Sequence, residues 1–125
     1  MKKTIFSTEK APAAIGPYSQ ATSDGQTLYV SGQLPLDPAT GTMPDGLEEQ
    51  VAQSIKNVIA IVQAAGGKTE NILKCGIYIM DMSAFGRINE VYQTFFEENP
   101  PARFVVQVSA LPKGAQIEID AVALL

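Results

Sequence analysis

Apolar residues recur at helical spacing in two stretches of the chain. In the first stretch they return every three or four residues, which predicts an amphipathic helix; its apolar positions are Leu47, Val51, Ile55, Val58, Val62 and Ala65. The residues between them are polar and predict its outer side: Glu48, Glu49, Gln53, Lys56 and Asn57. Asp45 is placed to cap the start of this helix, and Gly66-Gly67 to end it.

The second stretch predicts a helix from about residue 84 to residue 98. Ser83 is its predicted cap, and Pro100-Pro101 stops it. Its apolar stripe predicts a side packed on the core rather than a cofactor site. The stripe consists of Phe85, Ile88, Val91, Tyr92, Phe95 and Phe96.

Runs of β-branched and other apolar residues predict strands at residues 5–6, 27–31, 73–80, 103–108 and 115–124. Proline- and glycine-rich stretches at residues 11–19 and 34–46 predict loops. The predicted order is β-β-β-α-β-α-β-β, in which one of the first three strands is not assigned to particular residues, in a single domain over residues 1–125. This order is typical of an α+β fold with helices packed on one face of a sheet.

The last two predicted strands favour a β-hairpin, with residues 111–114 as its turn. That register places Gln107 opposite Glu118 and Arg103 opposite Val122, so a cation, an amide and a carboxylate share one surface. Such a surface can grip a small carboxylate and orient a water molecule. The alternative is that this polar face is simply the solvent face of an antiparallel sheet.

The chain contains no histidine and one cysteine, Cys75, which narrows its possible chemistry. Ser-His-Asp and Cys-His mechanisms, histidine-bearing zinc sites and cysteine-rich metal sites are excluded. Proton transfer is left to Glu, Asp, Lys, Tyr and water. Cys75 lies in an apolar strand, where we expect inert core packing.

The net charge of −4 and the scattered Lys and Arg residues weigh against a nucleic-acid partner. No apolar stretch is long enough for a signal peptide or a membrane span. A single cysteine allows no internal disulfide, which fits a reducing compartment. We therefore expect a cytoplasmic protein without a membrane partner.

Five segments carry specific motifs, in order, over nearly the whole chain. They are residues 11–20 (APAAIGPYSQ), 31–33 (SGQ), 88–92 (INEVY), 101–103 (PAR), and 110–114 (ALPKG) with 117–119 (IEI). Together they resemble the Rid family, the RidA or YjgF type of enamine and imine deaminase. The resemblance implies a chorismate-mutase-like fold, a mixed sheet with two helices on one face, in homotrimers with clefts between subunits. It also implies hydrolysis of 2-aminoacrylate or 2-aminocrotonate, as imine tautomers, to 2-oxo acid and ammonia, without cofactor or metal.

The same resemblance assigns the site residues. The catalytic positions of the family fall on Arg103, which binds the carboxylate, on Glu118, which orients water, and on Tyr18. The substrate-binding positions that border the cleft are Asn89, Ser31, Gly32, Gln33, Val105 and Gln107. The chemistry is adequate, because a guanidinium fork matches a carboxylate and a partly buried glutamate can transfer protons.

Residues 104–108 (FVVQV) depart from the usual family pattern Ser-Cys-Val-Glu-Val. Phe104 replaces a small polar residue, Val105 the cleft cysteine and Gln107 a carboxylate, changes that bear on substrate preference and rate. Asp120 is either a second carboxylate or part of a subunit contact.

Two alternatives to the deaminase stay open. One is a regulatory trimer that binds a 2-oxo acid without significant turnover. The other is a ribonuclease or translation inhibitor, a label carried by relatives. The net charge and the missing histidine argue against the ribonuclease.

Overall fold

The computed structural model describes residues 2–125, which form a six-stranded mixed sheet and two α-helices. The elements are β1 (Thr4–Phe6), β2 (Ala21–Ser23), β3 (Thr27–Gln33), α1 (Leu47–Ala64), β4 (Ile72–Ile79), α2 (Phe85–Phe95), β5 (Ala102–Gln107) and β6 (Ile117–Leu124). In residues 2–125, neither helix combines the length and the apolar character needed to span a membrane. The short strand β2 is an addition to the strands located from the sequence.

The strands lie in the order β1-β2-β3-β6-β4-β5, and all neighbours are antiparallel except β4 and β5. The helices pack on one side of the sheet, the covered face. Its buried side chains are Leu28, Val30, Cys75, Ile77, Ile79, Ile117, Ile119, Ala121 and Ala123. The opposite side, the open face, has no helix from residues 2–125. The predicted α+β arrangement and the burial of Cys75 are both confirmed.

Helix α1 follows its apolar pattern, because most of the repeating positions are buried. The prediction of Asp45 as its cap is wrong: Gly46 occupies the cap position and gives no side-chain hydrogen bond. The predicted end is confirmed. The Gly67 N–H donates to the Val62 carbonyl at 2.9 Å, and Gly66 has a φ of 94°, a conformation that glycine adopts without strain.

Helix α2 begins at Phe85, after a turn of 3₁₀ helix over Met82–Ala84. The prediction of Ser83 as the helix cap is wrong, because the Asp81 carboxylate caps that turn and accepts from the Ser83 N–H at 3.0 Å. Phe85 is also not a core residue as predicted, since 38% of it is exposed.

The predicted hairpin between the last two strands is wrong. Strand β5 pairs in parallel with β4, which places Arg103 beside Cys75 and Gln107 beside Ile79. Strand β6 lies between β3 and β4, with Glu118 opposite Tyr78. The physical reason is that β4, α2 and β5 form one strand-helix-strand unit, and such a crossover joins parallel strands. As a result, Arg103 lies on the covered face and Glu118 on the open face.

Candidate active site

Arg103 projects from the edge strand β5 toward helix α2. Its Nη2 donates to Asn89 Oδ1 at 2.6 Å, and its guanidinium carbon lies 4.8 Å from the centre of the Tyr92 ring. The structure thus brings Arg103 and Asn89 together, as expected. Both line a cleft of about 360 Å³, here called the arginine cleft. Its residues are Asn89, Tyr92, Gln93, Phe96, Pro100, Pro101 and Arg103.

The guanidinium of Arg103 has no carboxylate within 4.0 Å among residues 2–125. The chain has two arginines, and in the described part the one ion pair joins the other, Arg87, to Glu48 at 2.8 Å. A partly buried cation that is held in place but not neutralised is a ready binding group for an anionic ligand.

Two of the predicted substrate-binding residues have other positions. Gln107 shares the covered face with Arg103, but its Oε1 accepts from the Met82 N–H at 2.7 Å and so stabilises the turn before α2. Val105 is half-buried and packs against the core. Neither side chain lines the arginine cleft. The shared surface predicted for Arg103, Gln107 and Glu118 therefore does not exist in one chain.

Glu118 lines a second cleft of about 640 Å³ on the open face, here called the glutamate cleft. The structure gathers Tyr18, Ser31, Gly32 and Gln33 around it, as expected. The remaining lining residues are mostly apolar, apart from Lys113 and Gln20: Pro12, Ala13, Ile15, Gln20, Leu34, Leu36, Pro112 and Lys113. Tyr18 is half exposed at this cleft.

Gly32 allows Glu118 to lie directly against strand β3. A Cβ atom at position 32 would overlap the Glu118 carboxylate. Burial raises the pKa of Glu118, and the nearby Asp120 raises it further. The Asp120 carboxylate itself accepts from the Gly76 N–H at 2.9 Å and from the Tyr78 hydroxyl at 3.3 Å. The raised pKa makes the Glu118 carboxylate a stronger base than an ordinary one, which suits a group that both accepts and returns a proton.

Buried amides that the sequence patterns did not single out hold the walls of the glutamate cleft. Gln20 accepts from the Thr8 N–H and donates to the Pro12 carbonyl, both at 2.7 Å, which anchors the loop that carries Tyr18. Asn57 donates to the carbonyls of Leu34 and Leu36. The sequence placed Asn57 on the outer side of α1, but it is fully buried. It lies two helical turns after Gln50, which is also a buried amide.

A third cleft, of about 870 Å³, lies beside the N-terminal loop. It shares Ala13, Tyr18 and Gln20 with the glutamate cleft, and Glu9 is the one charged residue in its lining. Because it contains no cation, its volume alone does not make it the best candidate for binding an acid.

Comparison with known proteins identifies the family of this chain. A family model described as endoribonuclease L-PSP matches residues 8–125. The chain belongs to the Rid family. It is 46% identical to a mouse 2-iminobutanoate/2-iminopropanoate deaminase over 123 residues, which is 98% of this chain and 91% of the relative.

Solved structures place the same fold over the whole Rid chain. The structure of Escherichia coli TdcF with bound serine is 42% identical, with a TM-score of 0.95 over 98% of each chain. The structure of the E. coli YjgF product is 44% identical, with a TM-score of 0.93 over 97% of this chain and 98% of that one. The chorismate-mutase-like fold expected from the motifs is confirmed.

Proposed function

We propose that this Rid protein hydrolyses 2-imino acids, formed from 2-aminoacrylate or 2-aminocrotonate, to 2-oxo acids and ammonia. The names of its curated relatives support this reaction, since those of mouse and human are 2-iminobutanoate/2-iminopropanoate deaminases at 46% and 45% identity. The observation that carries the proposal is Arg103, a preorganised guanidinium without a carboxylate partner in residues 2–125.

In this reaction Arg103 binds the substrate carboxylate. The guanidinium has five N–H donors, and Asn89 Oδ1 occupies one of them. Two of the others can form a bidentate pair with a carboxylate, each bond contributing about 1.5–3 kcal/mol. The imine carbon then lies at a fixed distance from Arg103. A group on the other side of the substrate can therefore transfer protons at that carbon and its nitrogen.

Glu118 is the proposed base and acid. Its carboxylate accepts a proton as the water oxygen bonds to C2 and passes that proton to the imine nitrogen, which gives a carbinolamine and restores the carboxylate. Glu118 then carries the hydroxyl proton to nitrogen as the C2–N bond breaks, which forms the C2=O bond and releases ammonia. Acid–base help of this kind contributes roughly 100- to 10,000-fold, which suits an already electrophilic imine.

The two clefts need a second copy of the chain to form one site. Arg103 faces α2, whereas Glu118 lies on the open face. We therefore place the reaction between subunits of a homotrimer, with Arg103 from one subunit and Glu118 from the partner subunit. The open face supports self-association, because it exposes a set of large apolar side chains that a monomer leaves in water: Tyr29, Phe104, Val106 and Leu124.

Tyr18 and the backbone of Ser31, Gly32 and Gln33 complete the proposed site around Glu118. Val105 and Gln107, which lie outside the arginine cleft, affect it indirectly, through packing and through the turn at Met82. A cytoplasmic location stays a prediction, supported by the free and buried thiol of Cys75.

The binding-only alternative is not favoured, because the curated relatives named above are deaminases. The ribonuclease named in the family description is a poorer match to this chain. This chain has a net charge of −4, which disfavours the basic surface that binds phosphates. It also has no histidine, the usual acid–base group of metal-free RNA cleavage.

A coupled assay tests the proposal. A pyridoxal-phosphate-dependent dehydratase generates 2-aminoacrylate from serine, and pyruvate release is followed with and without this protein. We expect the wild type to accelerate release and Arg103→Ala to lose roughly 100-fold in kcat/KM, as expected for two lost charge-assisted bonds. Arg87→Ala is the matched control. Release at the dehydratase-only rate, or an Arg103→Ala variant as active as the wild type, would refute the deaminase.

A further inference from the structure

We infer that Phe85 and Tyr92 form an aromatic clamp that positions the Arg103 guanidinium for its ligand. The inference rests on the proposed function and adds two residues to the site. Phe85, Asn89, Tyr92 and Phe96 follow one another at intervals of four, three and four residues, so they share one face of helix α2. That face is the side of α2 turned toward Arg103.

The contacts of Arg103 divide between one hydrogen bond and two rings. Its guanidinium carbon lies over the Tyr92 ring at 4.8 Å and over the Phe85 ring at 5.5 Å, both within the range of a cation–π interaction. Asn89 Oδ1 holds one Nη2 proton at 2.6 Å. The orientation of the guanidinium is thus set by one amide and by stacking.

Stacking has a chemical advantage over an ion pair at this position. An aspartate or glutamate beside Arg103 would hold it equally well, but would neutralise its charge and occupy the N–H groups that a substrate carboxylate needs. Ring faces attract the cation and use no N–H donor. The clamp therefore fixes the guanidinium and leaves its charge and its remaining donors for the ligand.

The position of the Tyr92 hydroxyl indicates that the ring of Tyr92, and not its hydroxyl, interacts with Arg103. It is buried and has no hydrogen-bond partner within residues 2–125. It lies near the buried Cys75 thiol, and burial raises the pKa of both groups, that of Cys75 to about 11. The nearest polar partner of this hydroxyl is the Cys75 thiol and not Arg103, so the ring, rather than the hydroxyl, orients the guanidinium.

Steady-state kinetics of full-length variants with 2-iminopropanoate test the clamp. Phe85→Leu is the main variant, because Phe85 is 38% exposed and its loss should leave the fold intact. Since Arg103 binds substrate and transition state alike, we expect KM to rise by roughly five- to tenfold with kcat unchanged. Tyr92→Leu should raise KM further, and Tyr92→Phe, which keeps the ring, should raise KM less than Tyr92→Leu does. Phe95→Leu, on the same helix without an Arg103 contact, is the matched control and should keep the wild-type KM.

A second measurement does not depend on turnover. The Nε–Hε signal of Arg103 in a ¹H–¹⁵N spectrum is displaced by the ring currents of stacked aromatics, and Arg87→Lys assigns it because the chain has two arginines. We expect Phe85→Leu to move this signal toward its position in a free arginine and Phe95→Leu to leave it in place.

The two measurements separate the clamp from the reaction. If Phe85→Leu changes neither KM nor the Nε–Hε signal while the wild type is active, the clamp is refuted and the deaminase stands. If the wild type has no turnover, the deaminase is refuted, and the signal alone decides the clamp. A Tyr92→Leu variant that does not fold leaves this decision with Phe85→Leu.

Discussion

The arginine cleft and the glutamate cleft lie on opposite faces of one sheet and are built by different means. Side chains of α2 and β5 form the arginine cleft, and the cation is held by Asn89 and two rings. Loops form most of the glutamate cleft, and buried amides such as Gln20 hold them through backbone groups. The arginine cleft presents a positive charge at an edge of the sheet that is covered by a helix, and the glutamate cleft presents a carboxylate in a mostly apolar setting.

The difference supports the proposal that each cleft is half of a site. Arg103 has no acid beside it within residues 2–125. The neighbour that most affects the charge of Glu118 is another acid, Asp120, which raises the pKa of Glu118. The Arg103 cation and the Glu118 carboxylate are separated within one chain. In a closed symmetric oligomer, the cation of one chain can face the carboxylate of the next. The predictions below test this complementarity.

The largest effect is expected from mixing two inactive variants. Arg103→Ala and Glu118→Gln should each lower kcat/KM by roughly 100-fold or more, through lost carboxylate binding and lost acid–base catalysis. Unfolding and refolding them together at equal amounts should restore roughly a quarter of wild-type activity, the fraction of subunit pairs in random trimers with both halves intact. The measurement is pyruvate release in the coupled assay.

The control is an equal mixture of wild type and a double variant that carries Arg103→Ala and Glu118→Gln in one chain. An equal mixture of the single variants that remains inactive would show that the two halves do not meet between subunits. Sedimentation of each variant, with an expected trimer mass, ensures that assembly is intact in every sample.

The family resemblance implied clefts between subunits, whereas the residue pattern alone predicted a site within one chain. The helices could be predicted, because their burial follows from apolar spacing within each segment. The helix caps could not, because several cap-forming residues lie near each helix start: Gly46 occupies the cap of α1 without a side-chain bond, and the Asp81 carboxylate caps the 3₁₀ turn before α2. The faces of Arg103 and Glu118 were mispredicted, because a proline-glycine turn between two apolar runs resembles a hairpin. The strand-helix-strand order of β4, α2 and β5 was the stronger signal.

The candidate site shows the same limit. The motifs grouped Tyr18 and Gly32 with Glu118 correctly, because they belong to one cleft of one chain. Phe85 and Tyr92 were predicted as core, since apolar spacing cannot distinguish a ring that packs on a core from one that holds a cation. Gln107 was assigned to the substrate, and only the structure reveals its bond to the Met82 N–H.

A smaller effect is expected at Gly32. A Cβ atom there meets the far end of the Glu118 side chain, which can move aside, so Gly32→Ala should fold normally but displace the carboxylate. We expect kcat to fall roughly tenfold, as for a misplaced acid–base group, with the melting temperature almost unchanged. Gly86→Ala, which has nothing within 4 Å of its added Cβ, is the matched control. Wild-type kcat in Gly32→Ala would remove Glu118 from the proposed mechanism.

A shift in pH dependence is expected from Asp120→Asn. Glu118 must be ionised to accept a proton from water, so kcat/KM should rise with pH through a pKa above its ordinary 4.5. Removing the Asp120 charge lowers that pKa and moves the acidic limb to lower pH, while Tyr78 and Lys113, which face the same region, remain. An acidic limb that is unmoved in Asp120→Asn would show that Glu118 does not control it.

Thermal unfolding independently checks the direction of the Glu118 pKa shift. Because the folded-state pKa of Glu118 is raised, its contribution to stability is complete below the unfolded value near 4.5 and is lost as pH rises through the folded value. Glu118→Gln should therefore gain melting temperature relative to the wild type only above that window. An equal gain at every pH would contradict the raised pKa.

The smallest effect is expected at Arg87, which sharpens the comparison by contrast with Arg103. Arg87 and Glu48 form a two-bond pair at 2.8 Å on the exposed surface of the helices, and this pair lowers the pKa of Glu48 to about 2. Water and salt screen exposed pairs, so they add little to stability or to catalysis. Arg87→Ala should keep the wild-type kcat, KM and melting temperature at moderate ionic strength. A loss of activity comparable to that of Arg103→Ala would mean that an arginine already paired with a carboxylate serves the reaction. The lack of a carboxylate partner would then no longer identify Arg103 as the anchor.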